Sequence, residues 1–198
     1  MPHVIAVAST KGGVTKTTTC ANLAGIFADF GMQVLLFDAD EQNSLTKYYP
    51  IQHRAEHGLT RVVTRGGLVT EDCISKTSIP GIDIVCSDAV SGNLQTWLKD
   101  REDRLLILRR AVRRSAAVDK YHVIIIDTQG AAGELQKTAA MAADVILSPI
   151  KPDVLSAAEF ADGTLRMMDS LNSLSDFGTD FRSGDSVSYT HLTLPTKA

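Results

Sequence analysis

Several features that would define a function class are scarce or absent in this sequence of 198 residues. Its three cysteines, Cys20, Cys73 and Cys86, are too widely spaced to form a disulfide framework or a zinc motif. No apolar run approaches the roughly 20 residues of a membrane span, and no charged and apolar leader precedes the first strand, so we expect a cytoplasmic protein. The net charge of −3 excludes a polycation, so any contact with nucleic acid must come from a local patch.

What the sequence does contain is an alternation of short β-branched runs and helical patterns. Strands are predicted at 4–8, 34–37, 82–86, 123–126 and 145–147, and helices at 16–30, 59–63, 91–99, 102–117, 133–143 and 154–171. This order predicts an α/β fold with a doubly wound, mainly parallel sheet and helices on both faces. The first helix is expected to bury the residues that recur at helical spacing, namely Leu23, Ile26, Phe27 and Phe30.

A glycine-containing segment, here called the phosphate loop (residues 9–18), follows the first predicted strand directly. It reads Ser9-Thr10-Lys11-Gly12-Gly13-Val14-Thr15-Lys16-Thr17-Thr18. A loop between a buried strand and a helix turns backbone N–H groups and the helix N-terminus toward a bound phosphate. Lys16 is therefore the candidate phosphate lysine, and the Thr17 hydroxyl is a candidate ligand for Mg²⁺.

Three aspartates stand where predicted strands end. Asp38 and Asp40 close the second strand, and Asp127 closes the strand at 123–126. Ligands of parallel α/β sheets bind at the carboxyl ends of the strands, so these side chains are expected beside the phosphate loop. Asp127 is a candidate for the metal's water shell, and of Asp38 and Asp40 one would orient the attacking water while the other supports the metal. Taken singly, each aspartate would more commonly cap a helix or a turn.

Three segments in this order resemble the deviant Walker-A ATPases, and among them most closely the ParA/Soj partition ATPases. They are Lys11–Thr17, Asp38–Gln42 and Ile124–Thr128, and the resemblance runs from Val4 to about Met168. It implies a P-loop NTPase fold that is incomplete at the C-terminus, with ATP and Mg²⁺ as cofactors. The nucleotide-binding residues that it implies are Lys11, Gly12, Gly13, Val14, Thr15, Lys16, Thr17 and Thr18.

The resemblance also implies a catalytic set and a functional cycle. Lys11 would reach the phosphates of a partner subunit, Lys16 would bind phosphate, and Asp40 would position the water. The metal set would be Thr17, Asp38 and Asp127. ATP would close a homodimer that binds DNA without sequence specificity on the nucleoid, and a ParB-like partner would stimulate slow hydrolysis. The cycle would serve segregation of a plasmid, a mobile element or a chromosome, with no membrane partner.

The sequence departs from the family pattern at three places. Thr15 stands where the family usually has glycine, Glu41 replaces a proline, and Gln129-Gly130 replaces a proline pair. If the loop requires a positive φ at position 15, the β-branched side chain costs about 1–2 kcal/mol. Two alternative functions stay open: a MinD-like membrane-associated positioning ATPase, and a nucleotide-binding scaffold that does not hydrolyse.

Two further patterns have competing interpretations. Four arginines at helical spacing on the predicted helix 102–117 form either a patch that contacts DNA phosphates or a solvated helix face; they are Arg109, Arg110, Arg113 and Arg114. The segment His53–His57 matches the His-x-x-Glu-His zinc pattern. It lies in a polar, irregular stretch, so surface histidines are the expected outcome.

The end of the chain breaks the alternation of strands and helices. Residues 1–174 are assigned to the ATPase domain and 175–186 to a loop. Residues Val187–Thr196 resemble the translated reading of a transposase-derived sequencing-library adapter, so 187–198 are expected to be a non-native tail on a fragment of a longer protein.

Overall fold

The computed structural model describes residues 1–10, 13, 15–89, 92–130, 133–150, 158, 160–175 and 186–191. The strands within these ranges are β1 (His3–Val7), β2 (Val34–Ala39), β3 (Ile51–His53), β4 (Ser75–Thr77), β5 (Ile82–Val85), β6 (Val123–Thr128), β7 (Val145–Ile150) and β8 (Ser186–His191). The α-helices are α1 (Lys16–Asp29), α2 (Ser44–Tyr48), α3 (Leu59–Thr64), α4 (Asn93–Lys99), α5 (Ile107–Arg114), α6 (Glu134–Ala142) and α7 (Arg166–Ser175).

The strands form one mixed sheet in the order β3-β4-β5-β2-β6-β1-β7-β8. Six neighbouring strands run parallel, in the order β5, β2, β6, β1, β7 and β8, whereas β3 and β4 add an antiparallel edge. In the centre of the sheet Asp38 of β2 is the register partner of Asp127 of β6. The predicted doubly wound α/β fold is therefore confirmed, and two of the three predicted carboxylates lie side by side at the carboxyl edge.

The core lies on both faces of the sheet because the central strands are apolar on both sides. On β2, Leu35 and Phe37 face the layer that α3, α4, α5 and α6 build, while Val34 and Leu36 face α1 and α2. Helix α7 packs on α6 through Met167 and Leu171. This double cover leaves the strand ends as the place where polar side chains collect.

The buried face of α1 differs from the predicted one. Cys20 and Ala24 are fully buried against the sheet, whereas Ile26 is 49% and Phe30 76% exposed. Leu23 and Phe27 are only partly buried. Small side chains let the helix approach the strands closely, so the larger apolar residues are displaced to its flank. The periodicity was right for a helix but wrong for its inner face.

Other boundaries shifted in ways that local patterns do not reveal. The predicted helix 102–117 is the shorter α5, with a single 3₁₀ turn before it (Arg104–Leu106) and another after it (Ala116–Val118). The predicted helix 154–171 falls partly outside the described residues, and its described part begins with a π-helical segment, Phe160–Leu165, ahead of α7. The short elements α2, β3 and β4 were not predicted.

The end of the chain contributes the last strand of the sheet. Strand β8 pairs in parallel register with β7, from Val145 opposite Ser186 to Ile150 opposite His191. The open edge of β7 is a template for any segment with β-propensity, so this pairing says nothing about the origin of the tail. The adapter origin of 187–198 stays a prediction. Among the described helices we find none with the length and apolar character that crossing a bilayer requires.

Candidate functional site

The phosphate loop joins β1 to α1 at the carboxyl edge of the sheet. Lys16 is the first residue of α1 and is buried. The loop runs past Gly13, whose φ of +69° lies in the left-handed region. Lys11, Gly12 and Val14, which the sequence predicted as nucleotide contacts, lie outside the described residues.

Thr15 adopts the conformation that the sequence analysis identified as costly. Its φ is +62° and its ψ +21°, so a β-branched residue occupies the left-handed region immediately before α1. Its carbonyl accepts hydrogen bonds from the backbone N–H (2.8 Å) and the hydroxyl (2.9 Å) of Thr19. The first turn of α1 therefore holds Thr15 in place despite the strain.

Asp127 is the most unusual group of the site. It is the penultimate residue of β6 with its side chain fully buried, and neither carboxylate oxygen has a partner of regular hydrogen-bond geometry within the described part of the chain. Burial raises its pKa to about 7, the charge of Asp38 adds to the rise, and the nearby Thr17 and Cys20 side chains oppose it. A buried, unpaired carboxylate is expensive to fold, which points to a ligand as its intended partner.

Among the described residues of the phosphate loop, Lys16 is the cation whose charge interacts with Asp127. Burial lowers the pKa of Lys16, and the carboxylates of Asp127 and Asp40 oppose that shift. The structure thus brings Lys16, Asp127 and Asp40 within electrostatic reach of one another, and Thr17 lies close to Asp127. These four residues are among those that the sequence predicted for the site, and their roles stay predictions.

Asp38 is also buried, but its oxygens are occupied. Its Oδ2 accepts hydrogen bonds from the backbone N–H (2.7 Å) and the hydroxyl (2.6 Å) of Thr46, and its Oδ1 accepts one from the N–H of Asp40 (3.3 Å). Burial raises the pKa of Asp38 to about 6, and the bonds from Thr46 limit the rise. Asp38 thereby fastens α2 to the end of β2, and three of the roughly four acceptor sites of its carboxylate are occupied.

Asp40 stands at the start of the loop between β2 and α2 and is only partly buried. Its Oδ1 accepts a 2.9 Å hydrogen bond from the N–H of Gln42, which shapes the turn. The next residue, Glu41, reaches across to Gly92, whose N–H donates a 2.5 Å hydrogen bond to Glu41 Oε2. The carboxylate proposed to orient water is thus set in a turn that is tied to a second loop.

The four arginines of α5 do not form a common free face. Arg110 pairs with Asp103 at 2.7 Å, Arg113 pairs with Asp144 and donates to the carbonyl of Pro2, and Arg109 donates to the carbonyl of Met141. Arg114 is exposed. Three of the four guanidinium groups hold the fold together, so the DNA contact assigned to this set stays a prediction without support from its geometry.

The histidine pattern also has a structural explanation. His57 lies 2.6 Å from Nη1 of Arg61 and 3.7 Å from Asp72, and Arg61 in turn lies 3.4 Å from Asp72. His53 belongs to the edge strand β3 and is exposed. Within the described ranges, no cluster of three metal-binding side chains occurs.

Two contacts to the site were missed from the sequence. The N–H of Thr10 donates to the hydroxyl of Thr164 at 3.3 Å, and a Cβ on Gly163 would lie 2.1 Å from Thr10 Oγ1. Gln95 of α4 caps the start of α6. Both contacts join residues far apart in the chain, and no local spacing identifies them.

The chain is similar in sequence and in structure to known proteins. A family profile described as an AAA domain matches residues 2–175. The chromosome partitioning protein ParA of Caulobacter vibrioides is 32% identical over 149 residues, which are 75% of this chain and 56% of that protein. The sporulation initiation inhibitor protein Soj of Bacillus subtilis is 29% identical over 151 residues, 76% of this chain and 59% of that protein.

Among solved structures, cobyrinic acid a,c-diamide synthase from Mycobacterium smegmatis, with bound ADP and magnesium, superposes with a TM-score of 0.76. It is 27% identical, and the match covers 88% of this chain and 69% of that one. The present chain spans less than two thirds of the length of the two sequence relatives. The profile match over most of the chain nevertheless shows that it belongs to this AAA domain family, as a ParA/Soj-type member with the P-loop α/β fold.

Proposed function

We propose that this chain is the nucleotide-binding core of an ATP-hydrolysing partition ATPase that uses ATP and Mg²⁺. The observation that carries the proposal is Asp127, a fully buried carboxylate whose oxygens have no partner of regular hydrogen-bond geometry among the described residues, next to Lys16 and Thr17. A hydrated divalent cation satisfies such a group, since carboxylate and hydroxyl oxygens are ligands that Mg²⁺ prefers. The bound ADP and magnesium named for the synthase from Mycobacterium smegmatis agree with this choice.

The residues present fit a magnesium nucleotide. Lys16, at the first turn of α1, would pair with phosphate charge, with the helix N-terminus adding partial positive charge. Thr17 and Asp127 would hold the metal, which when bound neutralises phosphate charge during transfer. Binding a cation at Asp127 also favours its ionised form, so metal and nucleotide would remove the cost of burying this carboxylate.

Asp40 is the residue we assign to orienting the attacking water. Its turn leaves it partly exposed, and its charge acts on Lys16. Phosphoryl transfer needs positioning and charge neutralisation more than covalent chemistry, so one well-placed carboxylate is sufficient in kind. Asp38 supports Asp40 indirectly, because its hydrogen bonds to Thr46 tie β2 to α2 and so hold the two ends of the loop that carries Asp40.

The remaining parts of the proposal follow the relatives. ATP would close a homodimer in which Lys11 reaches the partner's nucleotide, the dimer would bind DNA without sequence specificity in the cytoplasm, and a ParB-like protein would stimulate slow hydrolysis. ParA is named for chromosome partitioning, and Soj for inhibiting the initiation of sporulation. We place this chain in the same class of segregation systems.

The test uses the 198-residue chain and measures Mg²⁺-dependent ATP binding and phosphate release. Lys16→Ala and Asp127→Asn should each abolish Mg²⁺-dependent binding, whereas Asp119→Asn, an exposed surface change, should leave it intact. Light scattering with and without ATP, for wild type and Lys11→Ala, tests the dimer, and a gel-shift with unrelated duplexes tests DNA binding. Equal ATP binding by wild type and Asp127→Asn would contradict the proposal.

A second candidate, the non-hydrolysing scaffold, is favoured by the positive φ of Thr15. The strain acts where backbone N–H groups must face a phosphate, so it can hold the loop in a binding but unproductive arrangement. Thr15→Gly relieves it. Hydrolysis that is absent in wild type and emerges in Thr15→Gly would support the scaffold, while hydrolysis already measurable in wild type would exclude it.

A further inference from the structure

Helix α4 lies between the β2–α2 loop, which carries Asp40, and the β6–α6 loop, which follows Asp127. Gly92, the residue before α4, donates its N–H to Glu41 Oε2 at 2.5 Å. Glu41 directly follows Asp40, so this bond attaches the start of α4 to the loop between β2 and α2. The other carboxylate oxygen of Glu41 is buried without a partner among the described residues, which leaves the bond to Gly92 to position the side chain.

Within the same helix, Gln95 contacts the other loop. Its Oε1 accepts hydrogen bonds from the N–H groups of Glu134 (2.8 Å) and Leu135 (3.3 Å), the first two residues of α6. These N–H groups have no partner inside their own helix. The residue before α6 is Gly133, which has no side chain to cap them, so Gln95 supplies the cap from another helix.

The same amide closes the loop that follows Asp127. A Cβ on Gly133 would lie 2.7 Å from Nε2 of Gln129 and 2.8 Å from Nε2 of Gln95. Gln129 follows Asp127 by two residues, so its amide and that of Gln95 meet over the Gly133 backbone. The Nε2 group of Gln95 is buried and has no acceptor in the described part of the chain. The packing is therefore tight, and a displacement of Gln95 also displaces the loop between Gln129 and Gly133.

We propose that Gln95 is a positioning residue that couples the β2–α2 loop to the β6–α6 loop through α4. The inference rests on the proposed function, since both loops then border one nucleotide. A change at Asp40 displaces Glu41, which carries Gly92 and the start of α4 with it. Because α4 has only seven residues, Gln95 moves with Gly92 and shifts the cap on α6, and the coupling acts equally in the reverse direction.

The test is a double-mutant cycle in the 198-residue chain. Glu41→Ala and Gln95→Ala each remove one acceptor, and the pair is combined. Gln95→Glu keeps the Oε acceptor, and Lys99→Ala, exposed on the same helix, is the matched control. The readouts are hydrogen exchange of the nucleotide-free protein, kcat/KM for ATP hydrolysis, and the rise in Tm that Mg²⁺-ATP produces.

In the nucleotide-free protein, Glu41→Ala should speed amide exchange at the start of α6 by about tenfold, although it lies on the other side of α4. Each single variant should lower kcat/KM by about tenfold, and the double variant no further than the more severe single one. Gln95→Glu should retain most of the activity, and Gln95→Ala should lose most of the nucleotide-induced rise in Tm.

Unchanged exchange at α6 in Glu41→Ala, or losses that multiply in the double variant, would overturn the coupling. An unaltered nucleotide-induced rise in Tm for Gln95→Ala would do the same, because a purely structural cap lowers the Tm of free and bound protein alike. A wild-type chain that neither binds nor hydrolyses ATP would instead refute the proposed function, and the exchange measurement would still decide the coupling.

Discussion

Replacing Asp127 by asparagine should stabilise the nucleotide-free protein, and increasingly so as the pH rises. Its carboxyl is fully buried, and burial is the main reason that its pKa rises from 3.8 to about 7. The folded state therefore retains a proton that the unfolded chain releases near pH 4. Stability from this site is fully present below pH 4 and is lost as the pH rises through 7.

The magnitude follows from the size of the pKa rise. At about 1.36 kcal/mol per pKa unit, the rise corresponds to about 4 kcal/mol in total, of which about 2–3 kcal/mol is lost between pH 5 and pH 8. Asparagine imitates the protonated carboxyl and has no proton to release. Asp38, whose pKa is about 6, titrates in the same direction in both proteins, so the difference between them reports the charge of Asp127 together with its repulsion of Asp38.

The assay is urea unfolding at pH 5 and pH 8 in EDTA, with Asp119→Asn as the exposed control. The advantage of Asp127→Asn in free energy of unfolding should grow by about 2–3 kcal/mol between the two pH values. With EDTA replaced by Mg²⁺-ATP at 100 times its Kd, the advantage should shrink by about 2.7 kcal/mol, since the ligand stabilises wild type alone. An advantage that is equal at both pH values would refute the reasoning.

Three further changes test other contacts. Thr46→Val removes a hydroxyl that donates to Asp38 and accepts from the Ser87 N–H (3.0 Å). It should lower the free energy of unfolding by about 2–3 kcal/mol. The loss should be larger at pH 8 than at pH 5, because the ionised Asp38 loses a hydrogen-bond donor. Gly163→Ala places a methyl 2.1 Å from Thr10 Oγ1, so we expect the free energy of unfolding to fall by about 1–3 kcal/mol and ATP binding to weaken. Thr10→Ala should partly restore both. An unchanged Tm in Gly163→Ala would contradict this contact. Ala24→Leu should cost about 1–3 kcal/mol in urea unfolding, whereas Phe30→Ser, at a mostly exposed position, should stay within about 0.5 kcal/mol.

The fold and the central carboxylates were predictable because their signals are local. Strands such as Val123–Thr128 are buried on both faces, so they read as unbroken apolar runs that only a covered parallel sheet accommodates. Each run ends in an aspartate, and parallel strands end at one edge. That reasoning placed Asp38 and Asp127 together, and the register confirms it.

The parts that were missed depend on distance in space. Helix periodicity identified α1 but chose Ile26 and Phe30 for its inner face, because hydrophobicity does not encode how closely small residues allow a helix to approach. The arginines of α5 were regarded as one face, although Asp103 and Asp144, which pair with two of them, lie in connecting segments outside α5. Gln95 carries no sequence signal, since its partners are backbone groups almost 40 residues away.

Several buried polar atoms without partners in the described ranges belong to residues that follow or end strands at one edge of the sheet. They include both oxygens of Asp127, the hydroxyl of Ser148 in β7, the hydroxyl of Ser87 after β5 and one oxygen of Glu41 after β2. Elsewhere such groups would be replaced by apolar residues or paired, because each costs about 1–3 kcal/mol. Those of Asp127 and Glu41 lie at the carboxyl edge of the sheet, where a polar ligand would supply the missing partners. The strain at Thr15 stands apart from this logic, because a bound phosphate satisfies N–H groups but does not relieve a Cβ in the left-handed region. That difference makes Thr15 the residue whose replacement tells whether this site is built for turnover or only for binding.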